Sequence, residues 1–268
     1  MKKTLLLTGV LLALTASLAS AAGLSLGWAN PADLGLNTCP SSPQSLLDVT
    51  NACTTNSGAV GTLIGSIVAP PGLTNVVGQA IIITYQESGS ATGLKDWWKY
   101  NNNECRGQIG TVTPSASLNA AFDPLNDEGL CNNNWGLAAS GASAFQSDLD
   151  YNQNPSPGRG RISGAFAVAQ GSPWPAGSEW YSFRLSFDRR HTVAGTLPVC
   201  VGCLDGVCFG FNYANINQPA GTPGGDATVD GPAGHGQTSS YRGGGALLCA
   251  SATPARRATW GQVKSLYR

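Results

Sequence analysis

Charged residues are scarce in this chain. Only 11 % of the 268 residues are Asp, Glu, Lys or Arg, and the 15 basic and 15 acidic residues balance to a formal charge of zero. Nucleic-acid binding depends on clustered Lys and Arg side chains that neutralise phosphates, so this composition argues against a nucleic-acid partner. The low charge, together with 42 % hydrophobic residues, also argues against a disordered chain.

Histidine and the short catalytic motifs are scarce as well. The chain has 2 histidines, His191 and His235, and it contains neither a G-x-S-x-G nor an H-E-x-x-H sequence. Serine-hydrolase and zinc-protease chemistry therefore has no local support. A carbohydrate-active hydrolase that uses two carboxylates far apart in sequence is the alternative. Its candidate glutamates are Glu87, Glu104, Glu128 and Glu179.

Long apolar runs occur only at the start of the chain. Lys2 and Lys3 precede an apolar run from Leu5 to Leu18 that ends in small residues, the pattern of a secretory signal peptide over residues 1–21. The run is shorter than the ~20 residues that span a bilayer. We therefore expect a secreted or cell-surface protein, extracellular or periplasmic, without a transmembrane segment after cleavage. Without the two lysines, 13 basic residues stand against 15 acidic ones, a charge of −2.

Cysteine, in contrast, is plentiful. An even number of cysteines in an exported protein indicates disulfide bonds, because thiols oxidise outside the cytosol. A zinc site of four thiolates is the alternative, and an oxidising compartment disfavours it. We therefore expect four disulfides and no zinc. The 8 cysteines are Cys39, Cys53, Cys105, Cys131, Cys200, Cys203, Cys208 and Cys249, of which the last four would form the zinc site.

The sequence around Cys203 favours one disulfide pairing. In "CLDGVC", Asp205 and Gly206 suit a two-residue hairpin turn that would place Cys203 opposite Cys208. The other expected bridges are Cys200–Cys249, Cys39–Cys53 and Cys105–Cys131. Pairing of Cys200 with Cys208 and of Cys203 with Cys249 stays open.

Alternating apolar residues predict β-strands. In "EWYSFRLSF", the residues Tyr181, Phe183, Leu185 and Phe187 recur at every second position, which indicates a strand with one buried face. "GVCFGFNYANI" repeats the pattern, and we expect Val207, Phe209, Phe211 and Tyr213 on one side. Further strand candidates are "LSLGW" as a first edge strand, "TLIGSIVAP", "VVGQAIIITY", "GRISGAFAVA" and "GALLCA".

Long turn-rich segments separate these strands, at residues 30–57, 101–124 and 218–234, and they have no helical periodicity. No repeat of fixed period and no Pro-rich linker divides the chain. We predict one all-β domain over residues 22–253, an antiparallel β-sandwich of jelly-roll-like architecture stapled by disulfides. The sequence does not indicate an oligomeric state.

The last segment, residues 254–268, predicts a short amphipathic helix. Thr259 and Gln262 have the spacing of a capping box, and Trp260, Val263 and Tyr267 would share one face. A helix this short is stable only when it packs on another surface. It would dock on the sandwich or serve as a recognition element for export or surface attachment.

The chain resembles a group of uncharacterised secreted bacterial proteins. The resemblance rests on the signal peptide, on "DWWK" before Asn and Cys, on "CVGCLDGVC", and on the C-terminal "CASATPARRATWGQVKSLYR" with its Trp-Gly and Leu-Tyr-Arg segments. It implies an exported, disulfide-bonded bacterial protein. It implies no activity.

Aromatic and amide residues beside two cysteines form a candidate carbohydrate-binding site. If Cys105 pairs with Cys131, then "KDWWKYNNNEC" and "CNNNW" would come together. Ring faces surrounded by a few amide donors suit sugar recognition, with a glycan or another cell-surface component as the partner. The alternative is that the rings belong to the core and the asparagines turn the chain. The candidate residues are Trp98, Tyr100, Asn102, Asn133 and Trp135.

A second candidate is a calcium site in "DLDYNQN". Asp148, Asp150 and Asn152 alternate as the ligands do at the start of a calcium loop. Gln153 and Arg159 stand where an EF-hand needs Gly and Glu, so only a looser loop site is compatible with the sequence. Calcium is thus the one cofactor that the sequence leaves as a hypothesis.

These observations favour a non-catalytic structural, adhesive or surface-binding protein. The alternatives are a carbohydrate-active hydrolase that uses an Asp/Glu pair and a carbohydrate-binding module.

Overall fold

The structure is a computed structural model that describes residues 22–29, 46–88, 92–101, 104–107, 120–123, 131–135, 140–195, 198–232 and 236–242. Within these residues the chain forms eleven strands and one turn of 3-10 helix, Asp96–Trp98. The strands are β1 (Gly23–Trp28), β2 (Asp48–Val49), β3 (Ala59–Val68), β4 (Val76–Glu87), β5 (Ala120–Asp123), β6 (Ser140–Leu149), β7 (Pro155–Ser172), β8 (Glu179–Asp188), β9 (Val207–Asn217), β10 (Ala227–Val229) and β11 (Thr238–Tyr241).

The strands form two sheets. One has four strands in the order β1-β3-β8-β5, and the other has seven, with β2-β11-β9-β4-β7-β6 in line and β10 on β9. Every strand pairing is antiparallel except that of β11 with β2. β1 also donates hydrogen bonds to the chain after β10, from Leu24 N to Gly231 O at 2.7 Å and from Leu26 N to Gly236 O at 3.1 Å. The predicted all-β sandwich is confirmed.

Apolar side chains at alternate positions fill the space between the sheets. On β8, Phe183, Leu185 and Phe187 are buried, as the alternation predicts. Rings of the two sheets meet across the core, with centroids 5.1 Å apart for Phe183 and Phe211 and 5.4 Å apart for Phe187 and Phe209. Burial of these rings removes apolar surface from water and is the main force that holds the sheets together.

A β-bulge in β9 reverses the side on which Tyr213 lies. The register of β9 against β4 shifts between Phe211 and Tyr213, so Asn212 is the extra residue. Its Oδ1 accepts hydrogen bonds from Thr84 N at 3.1 Å and from Thr84 Oγ1 at 2.6 Å, which stabilises the bulge. Tyr213 is consequently half-buried on the outside of the sheet. The prediction that it shares the buried face with Phe211 is wrong.

A segment that we call the tryptophan cap, residues 92–101 and 104–107, continues the core beyond the strand ends. Its 3-10 turn buries Trp97 and Trp98. The Trp98 ring lies 6.1 Å from the ring of Phe187 and 5.0 Å from that of Tyr241. Tyr85 Oη donates a hydrogen bond to the Trp98 carbonyl at 2.8 Å. The cap is therefore packed on side chains from both sheets.

A buried arginine joins the cap to β8. The Arg106 side chain has 0 % exposed surface, and its guanidinium carbon lies 3.9 Å from the centre of the Trp97 ring. Nη1 donates to Trp97 O at 3.2 Å and to Tyr100 Oη at 3.1 Å. Nη2 donates to Asp188 O at 2.6 Å and to Asp188 Oδ1 at 3.2 Å. A charge can be buried only when it is paired and hydrogen-bonded, so Arg106 fixes the position of the cap.

Two disulfides converge on one loop, residues 198–206, which we call the cysteine loop. Cys53–Cys203 joins it to the chain before β3 across 150 positions, and Cys105–Cys200 joins it to the tryptophan cap across 95 positions. In the chain-entropy account, closing a loop of about 100 residues stabilises the fold by roughly 5 kcal/mol. Cys131 and Cys208 are also disulfide-bonded.

The predicted disulfide pairings of the cysteine loop are wrong. The hairpin that would place Cys203 opposite Cys208 does not form, because β9 begins at Val207 and pairs with β4 and β11 on its two sides. The loop instead turns at Gly202, which has a φ of +108° and whose carbonyl accepts Asp205 N at 3.1 Å. The observed bridges rule out Cys203–Cys208, Cys200–Cys249, Cys39–Cys53 and Cys105–Cys131, as well as the rival set Cys200–Cys208 with Cys203–Cys249.

Most predicted strands are confirmed, and five others were missed. The predicted segments correspond to β1, which is an edge strand, and to β3, β4, β7, β8 and β9. Of the missed strands, β2, β5, β10 and β11 have only 2 to 4 residues, and the ten-residue β6 is rich in Ser and Ala. Such segments have little β-branched or aromatic character and give a weak sequence signal.

Several predictions concern residues outside the described part of the chain. These are the signal peptide at residues 1–21, the strand candidate "GALLCA", the helix at residues 254–268, and the cysteines Cys39 and Cys249. They stay predictions. Among the described residues, no helix has the length and apolar character that a membrane span requires.

Disulfide mapping should recover the two long-range bridges. Proteolysis of the unreduced protein, followed by mass spectrometry, is expected to give cross-linked peptides that contain Cys53 with Cys203 and Cys105 with Cys200. A peptide that links Cys203 to Cys208 would contradict the structure.

Replacement of Arg106 should destabilise the protein strongly. Arg106→Met leaves Asp188 and the Trp97 carbonyl without their buried donor, and we expect the free energy of unfolding to fall by about 3 kcal/mol in urea titrations. Lys99→Met is the matched control, because it breaks the exposed 3.1 Å ion pair with Asp96 and should change stability by less than ~0.5 kcal/mol. Similar stability of the two variants would refute the role of Arg106.

Candidate binding surface

The aromatic residues proposed to face a sugar lie in the core. Only 1 % of the surface of Trp98 and of Trp135 is exposed, and 9 % of that of Tyr100. Asn133 is exposed, and its Oδ1 accepts Trp135 N at 2.8 Å, so it turns the chain. Asn102 lies outside the described residues. The rings are therefore placed as in the alternative interpretation, inside the protein.

Trp98 and Trp135 also lie at different ends of the sandwich. The predicted disulfide that would have brought them together is not formed. The Trp98 ring is 6.3 Å from that of Tyr85, whereas the Trp135 ring is 4.7 Å from that of Phe166, a residue paired with Gln79. Gln79 and Tyr85 are both in β4, roughly 20 Å apart along the strand. The two tryptophans do not share a surface.

The carboxylates of Asp148 and Asp150, two of the calcium candidates, accept hydrogen bonds from backbone N–H groups. Asp148 Oδ1 accepts hydrogen bonds from Leu94 N at 2.9 Å and Gly158 N at 3.0 Å, which ties the tryptophan cap to β7. Asp150 Oδ1 accepts two backbone N–H groups of the β6–β7 turn, including that of Asn152, at 2.8 Å each. Within the described residues, no cluster of three or more His, Cys, Asp or Glu side chains is placed to hold a metal ion. Calcium binding stays a hypothesis without added support.

Two of the candidate glutamates have structural contacts. Glu104 Oε2 accepts Asn101 N and Ser147 Oγ, both at 2.8 Å, and so connects the tryptophan cap to β6. Glu179 Oε1 accepts a serine hydroxyl of β3. Glu128 lies outside the described residues.

Glu87 and Asp205 are two carboxyl groups that interact electrostatically beneath the cap. Glu87 is 3 % exposed, and its Oε2 accepts Lys95 N at 2.8 Å. Burial raises the pKa of Glu87, and the charge of Asp205 and a hydrogen bond between the two side chains raise it further, against the opposing effect of Lys95. Glu87 accepts Lys95 N of the cap, and Asp205 belongs to the cysteine loop, so the pair lies where these two segments meet.

Of the two histidines, His191 lies within the described residues. His191 lies in the turn after β8 with a φ of +64°, and its Nδ1 is 3.0 Å from Pro198 O. His235 lies outside the described residues.

The outer side of the seven-stranded sheet presents a different set of side chains. On β4, Ile81 and Ile83 are buried in the core, and the intervening residues point outward. Because the strands are antiparallel and in register, the outward residues of β7, β4 and β9 align in rows, which together we call the outer face. The rows are Ala167–Gly78–Asn217, Ala165–Ala80–Asn215, Ser163–Ile82–Tyr213, Arg161–Thr84–Gly210 and Arg159–Gln86–Cys208.

Two amide side chains on the outer face each form a hydrogen bond with a neighbouring side chain. Asn215 Oδ1 accepts Thr228 Oγ1 at 3.4 Å, and Asn217 Nδ2 donates to Asp226 Oδ2 at 3.1 Å. An amide that is already oriented loses little rotamer freedom when its remaining donor and acceptor bind a ligand. Each of these two amides therefore has one of its groups paired and the other available.

A shallow depression of about 360 Å³ lies at one end of the outer face. A Cβ at Gly78 would lie 3.1 Å from Phe166 O, 3.5 Å from Ala167 Cβ and 3.7 Å from Asn217 Oδ1, so a larger side chain here would crowd both the depression and the backbone of β7. The lining residues are Val77, Gly78, Gln79, Ala80, Ala165, Phe166, Ala167 and Asn217. The depression has an apolar floor and an amide at its rim.

Two tyrosines lie further along the outer face. The rings of Tyr213 and Tyr151 are 6.2 Å apart at an angle of 51°. Tyr151 belongs to the β6–β7 turn, and both side chains are half-buried. Partly exposed rings offer the apolar contact that sugar rings use.

No family model, curated protein or solved structure matches the chain.

Sequence reasoning missed the outer-face residues. The polar positions of "RGRIS" in β7 and "NYANIN" in β9 alternate with core residues, so their outward direction was readable from the strand period. The position of Tyr213 was not readable, because the bulge at Asn212 depends on pairing with β4.

Glu87→Gln should alter the pH dependence of stability. The raised pKa means that folded Glu87 keeps its proton above the usual 4.5, so its contribution to stability is complete below pH 4.5 and is lost as the pH rises through the raised pKa. Gln mimics the protonated form, so the melting temperature of Glu87→Gln minus that of the wild type should increase from pH 4 to pH 7. Asp205→Asn, which removes the neighbouring charge, should make this dependence smaller. A constant difference across this range would contradict the shift.

Proposed function

We propose that the protein is exported and acts by binding a carbohydrate polymer at a cell surface or in the extracellular matrix, through its outer face. The observation that carries the proposal is the row structure of the outer face, where amides, tyrosines and an apolar depression lie on one rigid sheet.

The disulfides support export. Cys53–Cys203 and Cys105–Cys200 are stable in an oxidising compartment, and the lysine-led apolar run over residues 1–21 has the pattern of a signal peptide. A rigid, stapled scaffold also suits a protein that must persist outside the cell.

The distribution of functional groups supports binding over catalysis. Glu87, Glu104, Asp148 and Asp188 each hold a backbone or guanidinium group of the tryptophan cap. Their carboxylates are thus committed to the fold. The polar groups of the outer face, in contrast, face outward from a regular sheet.

The chemistry of the outer face supports a sugar ligand. Carbohydrates combine apolar ring faces with many hydroxyl groups. On the outer face, Tyr213 can contact the ring faces, and the Asn215 and Asn217 amides can form hydrogen bonds with the hydroxyl groups. An extended sheet surface suits an extended polymer better than a small molecule, which prefers a deep cleft.

The proposal is tested by co-sedimentation with insoluble polysaccharides and by affinity electrophoresis in soluble ones. We expect binding to at least one polymer, with affinity reduced roughly tenfold by Tyr213→Ala and further reduced by Gly78→Val, which fills the depression. Leu204→Ala is the control, because Leu204 is 61 % exposed on the cysteine loop, which precedes β9 at the end of the sheet opposite the depression.

Three outcomes would count against the proposal. The first is no binding to any polymer, and the second is loss of binding in Leu204→Ala with retention in Tyr213→Ala. The third is the release of new reducing ends from a polymer, which would favour the hydrolase alternative.

A further inference from the structure

Two arginines lie side by side on the outer face. Arg159 and Arg161 are both on β7, two positions apart, so their side chains leave the same side of the strand roughly 7 Å apart. Arg159 is exposed and Arg161 is half-buried. Neither belongs to the core or to the tryptophan cap.

The neighbours of these arginines across the strands are neutral. Arg159 is paired with Gln86, and Arg161 is paired with Thr84 on one side and Gln146 on the other. Surface cations on a sheet are commonly opposed by a carboxylate. In the described part of the chain, the ion pairs involve Lys99, Arg106 and Arg190 and not these two arginines.

One donor of Arg161 is shielded from solvent. Its Nε is buried and has no hydrogen-bond partner among the described groups. A buried donor without a partner is costly, and an acceptor that reached it would remove that cost. Thr84 and the small Gly210 complete this row, and a Cβ at Gly210 would lie 3.6 Å from the Asn212 amide and 3.8 Å from Thr84 Oγ1. The row beside Arg161 therefore carries no large side chain.

We propose that Arg159 and Arg161 bind carboxylate groups of an acidic polysaccharide, one built from uronic acid units. This inference rests on the proposed function and specifies its ligand class. A guanidinium binds a carboxylate through two parallel hydrogen bonds. Tyr213 lies two strands across and one row along from Arg161, roughly 12 Å away between backbones, so its ring can contact another sugar unit of the same polymer.

The surroundings favour an acidic polysaccharide over other anions. Nucleic acids and anionic membranes are bound by broad clusters of cations, whereas the remaining rows of the outer face carry Ala, Gly, Ser, Asn, Ile and Tyr. Two cations within a neutral, amide-bearing sheet match a polymer that is mostly hydroxyl with charges at intervals.

The test compares the acid form of each polymer with the ester form of the same polymer. Binding of polygalacturonate, alginate and hyaluronan is measured by biolayer interferometry, each against its methyl-esterified form, with wild type and with Arg159→Gln/Arg161→Gln. The wild type should bind at least one acid form roughly tenfold or more tightly than its ester, and the double variant should lose this preference. Lys99→Gln is the control for loss of a positive charge elsewhere, and it should keep the preference. Matching circular dichroism spectra and melting temperatures would show that the variants are folded.

The outcomes separate this inference from the proposed function. Equal binding of acid and ester by the wild type, or an unchanged preference in the double variant, overturns the arginine site and leaves carbohydrate binding intact. Binding to none of these polymers and to no neutral polysaccharide overturns both. Tighter, arginine-dependent binding to phosphatidylserine vesicles or single-stranded DNA than to any uronic-acid polymer also overturns the inference, in favour of a general anion site.

Discussion

The guanidinium of Arg106 is the contact on which one end of the protein depends. Its side chain is fully buried, so its charge has to be compensated by the protein. The Trp97 and Tyr100 rings lie 3.9 Å and 5.2 Å from it, and Asp188 supplies the acceptors from β8. A desolvated cation on an aromatic face is worth about 2 kcal/mol, which adds to the hydrogen bonds. The tryptophan cap lies where these groups are paired, and the Cys105–Cys200 bridge and the 2.8 Å hydrogen bond from Trp97 N to Val201 O join it to the cysteine loop.

The protein uses its few charges unevenly. Near the tryptophan cap, carboxylates are committed to backbone N–H groups and to Arg106, which leaves this end rigid. On the outer face the polar groups are mostly neutral amides and hydroxyls, and the β-bulge at Asn212 adds a tyrosine that regular alternation would have buried. One side of this sheet thus packs in the apolar core and the other presents polar side chains, as is common in antiparallel sheets.

The regular part of the fold was predictable from the strand period, and the contacts between distant segments were not. β8 followed its alternation because each of its apolar residues meets the core. The pairing of Cys53 with Cys203 was not predictable, because it depends on the loop before β3 and the cysteine loop being neighbours in space. The tryptophans and asparagines around Cys105 resembled a sugar site in composition. The rings nevertheless pack in the core, where the Arg106 guanidinium lies over those of Trp97 and Tyr100. The arginines of β7 carry no local motif, and only the sheet register shows that their neighbours are neutral.

The positions of the two bridges have a consequence for biosynthesis. Cys200 and Cys203 are three residues apart, yet each is joined to a distant cysteine, so the bridges become favoured only after β3, β8 and the tryptophan cap have assembled. A nascent chain that is oxidised before this point pairs the closest thiols first, and these bonds must then be exchanged through mixed disulfides. Such exchange takes seconds to hours without an isomerase. An isomerase that catalyses this exchange would therefore speed the formation of the two long-range bridges.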